Sequence, residues 1–166
     1  MNVTLKKILC PVDFSATSDL ALHYAVAFAR QNNASLTLIH VVAPPIAAVP
    51  GEAGLLNVPQ ADIQEITSAC RTRIESTARE LQQEPLEIDT VVLSGVPFIE
   101  ISRYASAHEI DMIVIGSRGR SGLSHLLLGS VAERVLRKAP CLVLVVKEKC
   151  KRLLDCAAAP CEEECN

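Results

Sequence analysis

The chain has 166 residues, a length that suits one domain with a sizeable core. Hydrophobic residues make up 49% of the chain and aromatic residues only 3%, so we expect a core of aliphatic side chains. The net charge of −3 gives no electrostatic reason to expect nucleic-acid binding. No segment has the length of a secretory signal or a membrane span, and we therefore expect a cytoplasmic protein.

The first half of the chain alternates strand and helix patterns. Lys7–Val12 predicts a strand, and Ser15 is the expected N-cap of a helix that runs to about Gln31. Ser35–Val42 predicts a second strand. From Gln60 to about Glu84, apolar residues recur every three or four positions, which predicts a long amphipathic helix.

The connection between that second strand and the long helix is unusual. Ala43–Pro59 spans seventeen residues and holds four of the nine prolines of the chain. Connections in compact α/β units are usually much shorter. We therefore expect a functional loop, a lid or a mobile segment here.

The second half continues the alternation. Leu86–Leu93, Met112–Ile115 and Cys141–Val146 predict three more strands, the last two of them short apolar runs typical of buried strands. Phe98–His108 and Ser130–Arg137 predict two more helices. Five strands that alternate with four helices indicate an α/β fold, an open five-stranded parallel sheet with helices on both faces.

A glycine-rich loop follows the fourth strand. Residues 116–122 read Gly-Ser-Arg-Gly-Arg-Ser-Gly, and Gly129-Ser130 then opens a helix. Free backbone amides and the positive end of a helix dipole meet there, which favours a phosphate. Arg118 and Arg120 would add charge-assisted bonds. The chain lacks Gly-Lys-Ser/Thr, which excludes a Walker loop. The alternative is that the glycines only turn the chain.

The spacing Gly116-x2-Gly119-x9-Gly129-Ser130 resembles the ATP-binding signature of the universal stress protein family (the UspA-like, ATP-binding type). The resemblance covers roughly residues 5–147 and includes the opening Ile-Leu-Cys-Pro-Val-Asp-Phe-Ser. It implies an adenine-nucleotide α-hydrolase-like sheet with strand order 3-2-1-4-5. It also implies a nucleotide-binding domain over residues 1–147 and leaves 148–166 as a cysteine-rich tail.

With that strand order, the ligand crevice lies between strands 1 and 4, at their carboxyl ends. The resemblance implies ATP and Mg²⁺ as ligands, with Asp13 on the ribose or the metal and the Val41 backbone on the adenine. Asp13 can equally form an N-cap or an Asx-turn, and the two roles are compatible. The implied binding residues are Pro11, Val12, Asp13, Val41, Ile115, Gly116, Ser117, Arg118, Gly119, Gly129, Ser130 and Val131.

The sequence favours binding over catalysis. No nucleophile, base and orienting group occur as a set, so we expect at most slow ATP hydrolysis. We interpret His40 as a hydrogen-bonded or edge residue and His125 as solvated. The alternative function is an ATP-independent dimeric scaffold that acts through partner contacts or through the cysteine-rich tail. Cys141–Val146 is an apolar strand at a sheet edge and predicts a homodimer.

The tail has four cysteines in sixteen residues: Cys150, Cys156, Cys161 and Cys165. Four thiolates suit zinc or Cu(I), although the intervening counts of five, four and three residues fit zinc knuckles poorly. Redox sensing is a second hypothesis, which the neighbouring glutamates oppose because negative charge raises a thiol pKa. The third is that these cysteines have no role.

Overall fold

The structure is a computed structural model that describes residues 4–43, 60–81, 86–118 and 128–151. The expected lid at 43–59 lies outside these residues, except for Ala43. The described elements, in chain order, are β1 (Lys7–Pro11), α1 (Ala16–Asn32), β2 (Ser35–Val42), α2 (Gln60–Leu81), β3 (Ile88–Ser94), α3 (Pro97–Ala107), β4 (Met112–Gly116), α4 (Ser130–Lys138), β5 (Leu142–Val146) and a 3-10 turn (Glu148–Lys151), here called the C-terminal turn.

The five strands form one parallel sheet in the order β3-β2-β1-β4-β5, which confirms the expected fold and strand order. Side chains of β1 alternate between the two faces of the sheet. Ile8 and Cys10 pack with α1 and α2, whereas Leu9 packs with α3 and α4. Because helices cover both faces, the central strands are apolar at nearly every position.

The ends of α1 follow from two polar residues. Ser15 is the N-cap, as predicted, and its hydroxyl accepts a hydrogen bond from the Ser18 amide at 3.3 Å. Asn33 adopts a left-handed conformation with φ of 51°, and its amide donates to the carbonyls of Ala29 and Arg30. Such a residue satisfies carbonyls that the last turn leaves unpaired. The helix bounds are therefore set locally.

Four of the five predicted strands differ from the structure in their bounds. β1 ends at Pro11 and not Val12, β3 runs over Ile88–Ser94 and not Leu86–Leu93, β4 ends at Gly116 and not Ile115, and β5 begins at Leu142 and not Cys141. Ladder pairing decides these ends: Ser94 is included because it pairs with Val42 across the sheet. Composition of a single strand cannot reveal where its neighbour stops pairing.

The sheet brings distant parts of the chain to one edge. β1 and β4 are neighbours, with Ile8 paired to Met112 and Leu9 paired to Ile113. Parallel strands end on the same side, so the residues that follow β1 and β4 lie next to each other although about a hundred positions separate them. In the part of the chain that the structure describes, no helix is long and apolar enough to cross a membrane.

Candidate functional site

A cavity of about 440 Å³ opens at the carboxyl edge of the sheet. Ten of the twelve residues that the sequence indicated line it: Pro11, Val12, Asp13, Val41, Ile115, Gly116, Arg118, Gly129, Ser130 and Val131. Ser117 is buried and does not line the cavity. Gly119, like Arg120 and His125, lies outside the described residues.

The junction between β1 and α1 holds Asp13 in a fixed position. Its Oδ1 accepts hydrogen bonds from the Ser15 amide at 3.0 Å and the Ser15 hydroxyl at 2.6 Å. A carboxylate that accepts from the amide two residues ahead forms an Asx-turn, one of the two predicted roles. The intervening Phe14 has φ of 63°, a conformation that non-glycine residues rarely adopt. Asp13 also lines the cavity, so the turn and a ligand contact are compatible.

Gly116, at the end of β4, meets another part of the protein. A Cβ added there would lie 2.8 Å from both the carbonyl carbon and the oxygen of Thr17 in the first turn of α1. The sequence had suggested a glycine that lets a ligand approach. The structure adds that this glycine lets α1 approach β4, because only a residue without a side chain fits at that distance.

The chain around Ser117 connects three elements by its backbone. The Ser117 amide donates to the Val146 carbonyl of β5 at 2.8 Å, and the Ser117 carbonyl accepts from the Gly129 amide at 2.8 Å. Next to it, the Arg118 carbonyl accepts from the Thr17 hydroxyl of α1 at 2.6 Å. The starts of both helices beside the cavity are thus tied to the same two residues.

The first turn of α4 lines the cavity through Gly129, Ser130, Val131 and Ala132. Gly129 is the N-cap, and among the described residues the start of this helix has no side-chain cap. Amides at a helix start have no partner within the helix. They carry the positive end of the helix dipole, so this wall of the cavity is suited to an anion.

Arg118 places a positively charged side chain on the cavity wall. Its Nη1 lies 3.7 Å from Oε2 of Glu148 in the C-terminal turn, and the Arg118 side chain is 34% exposed. A guanidinium has several N–H donors, and one carboxylate can accept from only some of them. Arg118 can therefore still bind an anion that enters from the cavity.

His40 is buried on the cavity wall and is hydrogen-bonded, one of the two options that the sequence interpretation gave. Its Nδ1 lies 2.6 Å from the Val12 carbonyl, and because a carbonyl only accepts, Nδ1 carries the proton. The ring lies 4.8 Å from that of Phe14, and the Arg73 guanidinium covers the same Phe14 ring at 4.1 Å. This stack joins β2, the β1–α1 junction and α2, and it makes His40 a structural residue.

Sequence reasoning missed the apolar wall that α2 and α3 contribute. Ile66 and Cys70 stand one turn apart on α2, but their pattern marked only a helix face that packs on the core. Pro97 was assigned only to the turn that begins α3. The lining residues beyond the predicted set are Ser18, Ile39, His40, Val42, Ala43, Ile66, Cys70, Pro97, Ile101 and Ala132.

The cysteines of the described chain do not suggest a reactive centre. Burial raises the pKa of Cys10 to about 12, so this thiol stays protonated. Burial also raises the pKa of Cys141, with a smaller contribution from Asp111. Among the described residues, no three His, Cys, Asp or Glu side chains are grouped to hold a metal ion. Cys156, Cys161 and Cys165 fall outside that part, so the hypotheses on the tail remain open.

Comparisons of the sequence and of the structure with known proteins point to the same family. The model of the Universal stress protein family matches residues 4–147. The chain is 32% identical over 160 residues to the universal stress protein MJ0577 of Methanocaldococcus jannaschii, covering 90% of this chain and 99% of that relative. The structure of the universal stress protein UspA from Lactobacillus plantarum is similar, with a TM-score of 0.74, 28% identity and coverage of 87% of this chain and 99% of that one.

Another similar structure contains a nucleotide. It is described as a universal stress protein in complex with cAMP, and it has a TM-score of 0.53 and 25% identity to this chain. The alignment covers 87% of this chain and 98% of that one. Proteins of this fold and this degree of similarity therefore include a nucleotide-bound example.

Proposed function

This chain belongs to the universal stress protein family, and on this basis we propose that it binds ATP with Mg²⁺ in the cavity between β1 and β4 and acts in stress response or regulation. One observation carries the proposal: a helix start without a side-chain cap, an arginine and a carboxylate line the same cavity. The cAMP complex of a similar protein supports a nucleotide as the ligand class.

The phosphates bind at the start of α4. Amides of Ser130 and Val131 supply hydrogen bonds, and the helix dipole adds a favourable potential. Arg118 contributes a charge-assisted contact from the end of β4. Gly129 has φ of −61° and ψ of 147°, which any residue can adopt. The absence of a side chain there is thus not needed for the backbone, and it leaves room for a phosphate.

The base binds at the end of β2. The Val41 backbone offers hydrogen-bonding groups to the edge of adenine, and Ile66 and Cys70 of α2 line the cavity as well. A cavity of about 440 Å³ with a largely apolar wall and a few polar groups is typical of small-molecule sites. The apolar wall suits a flat base, and the backbone groups orient it.

Asp13 fits the demands of Mg²⁺. This ion usually binds proteins through one or two carboxylates together with substrate phosphates. Asp13 supplies one carboxylate in the same cavity as the start of α4, and its bonds from Ser15 fix its orientation. When bound, the ion would neutralise phosphate charge, and Asp13 would hold the ligand at the β1 side of the cavity.

We propose a binding protein of the cytoplasm and not an efficient enzyme. Cys10 of β1 is fully buried, and burial keeps its thiol protonated. His40 uses its Nδ1 proton for the Val12 carbonyl. The sequence offers no nucleophile with a paired base and an orienting group, so we propose at most slow hydrolysis.

The decisive experiment is to denature the purified protein and identify any nucleotide that it releases, followed by calorimetry with ATP in the presence and absence of Mg²⁺. We expect binding that Mg²⁺ strengthens, and the strengthening should be lost in Asp13→Asn. Adenosine separates the two roles of Asp13: its affinity falls in this variant where Asp13 contacts the ribose, and stays unchanged where Asp13 holds only the metal. If the wild type binds neither ATP nor adenosine, the proposal is wrong.

We also propose a homodimer formed through residues 141–146, an assembly that the second candidate function, a dimeric scaffold, requires. β5 is an edge strand, and Leu142 is 57% exposed. An exposed apolar edge favours pairing with a copy of itself. Leu142→Glu should yield monomers in sedimentation, while Ile99→Glu, a charge on an exposed position of α3, should leave the dimer intact. A dimer that persists in Leu142→Glu would contradict this assembly.

A further inference from the structure

The C-terminal turn is docked on the body of the protein. The Tyr24 hydroxyl of α1 donates a hydrogen bond to the Cys150 carbonyl at 2.6 Å. The Cys150 side chain is partly buried and packs against the core on the α1 face. Burial and the proximity of Cys150 raise the pKa of Tyr24, so its hydroxyl stays a donor. The turn therefore has a defined position at the start of the tail.

This position brings Glu148 to Arg118, a residue of the cavity wall. Its Oε2 lies 3.7 Å from Nη1 of Arg118, which lines the cavity. The backbones on both sides are also tied together, since Val146 accepts from the Ser117 amide and Arg118 accepts from Thr17. The fold thus places the backbones of Arg118 and Glu148 so that their side chains can meet.

We propose that Glu148 is a specificity-determining residue: it competes with ligand phosphates for Arg118 and lowers the preference of the cavity for nucleotides with several phosphates. The inference rests on the proposed nucleotide binding. A guanidinium binds carboxylate and phosphate oxygens through the same donors. A phosphate that reaches Arg118 must therefore displace Glu148 or share the guanidinium with it.

The expected size of the effect on ATP affinity follows from the exposure of the two side chains. The Arg118 side chain is 34% exposed and that of Glu148 is 76% exposed, so water screens their attraction. Such pairs have small coupling, and we expect a two- to fivefold effect on affinity. The effect grows with the charge of the ligand. ATP should be affected most, AMP less, and adenosine not at all.

The test is to measure the affinities of ATP, AMP and adenosine for the full chain, for Glu148→Gln and for Arg118→Gln, singly and combined, at low salt. Glu148→Gln should bind ATP about two- to fivefold more tightly and adenosine unchanged. In the Arg118→Gln background, Glu148→Gln should have no effect, because its partner is gone. Glu80→Gln is the matched control: Glu80 lies ten residues beyond Cys70 on α2, roughly 15 Å along the helix.

Tyr24→Phe provides a second variant that tests the docking of the turn. It removes the hydroxyl that bonds to Cys150 and keeps the ring. It should raise ATP affinity in the same direction as Glu148→Gln and by a smaller factor, since Glu148 is then held less firmly.

Three results would overturn this inference and leave the proposed function intact. They are the same gain in ATP affinity in Glu80→Gln, a gain in ATP affinity that persists without Arg118, and an equal gain in adenosine affinity. If the wild type binds none of the three ligands, the proposed function fails and this inference fails with it.

Discussion

The helices α1 and α4 both begin beside the cavity, at the carboxyl ends of neighbouring strands, but their first turns differ. At α1, the Ser15 hydroxyl accepts from the Ser18 amide, and Asp13 accepts from Ser15. At α4, Gly129 provides no side-chain cap. In α1, the Ser18 amide is hydrogen-bonded to a side chain of the same turn. In α4, the first-turn amides have no side-chain cap among the described residues and can donate to a ligand.

Because of this difference, we expect the α1 side and the α4 side of the cavity to contact different parts of a ligand. The two dipoles have the same sign, so a dipole alone does not decide where an anion binds. At α1 a phosphate would meet the Asp13 carboxylate, and the Ser18 amide already has a partner in the Ser15 hydroxyl. At α4 it would meet uncapped amides and Arg118. We therefore expect phosphates at α4, and a cation or hydroxyl groups at Asp13.

The largest expected effect comes from filling the uncapped helix start. Gly129→Val should lower ATP affinity at least hundredfold, about 2.7 kcal/mol, since a side chain would occupy the phosphate position. The backbone of Gly129 suits any residue, so the fold should persist. Calorimetry gives the affinity and thermal unfolding gives the control. Gly129→Ala should show an intermediate loss. Unchanged affinity in both variants would show that phosphates do not bind at α4.

The next effect concerns the contact between α1 and the end of β4. Gly116→Ala should lower the free energy of unfolding by about 2 kcal/mol, because its Cβ would lie 2.8 Å from the Thr17 backbone. Urea unfolding measures this. Gly129→Ala is the matched control and should change stability far less. If Gly116→Ala is as stable as the wild type, the close approach of α1 to β4 is wrong.

The smallest effects compare the serines of the two helix starts. Ser15→Ala should lower the free energy of unfolding by about 1 kcal/mol, the usual contribution of an N-cap. Ser130→Ala should weaken ATP binding by about 1 kcal/mol through a lost hydrogen bond and leave unfolding nearly unchanged. Unfolding curves and ATP titrations of both variants test the contrast. Equal destabilisation by the two changes would mean that Ser130 supports the helix and not a ligand.

Much of this site could be predicted from the sequence. Ser15 as N-cap and Asp13 as an Asx-turn residue follow from local chemistry, because both roles involve groups within a few positions of each other. The glycine spacing predicted a phosphate site, and ten of the twelve indicated residues line one cavity. That they bind a nucleotide is still a prediction. Ile66 and Cys70 were missed because a helix pattern shows which face is apolar and not what lies opposite it.

The sequence by itself determined the alternation of strands and helices, because side-chain periodicity and capping act within a few residues. Tertiary structure decided what depends on the meeting of distant segments. Only the packing of α1 on β4 shows that Gly116 lies against Thr17, and only the docking of the C-terminal turn brings Glu148 to Arg118. These contacts join residues that lie 30 to 99 positions apart. Their geometry follows from the order and register of the strands, which no local pattern contains.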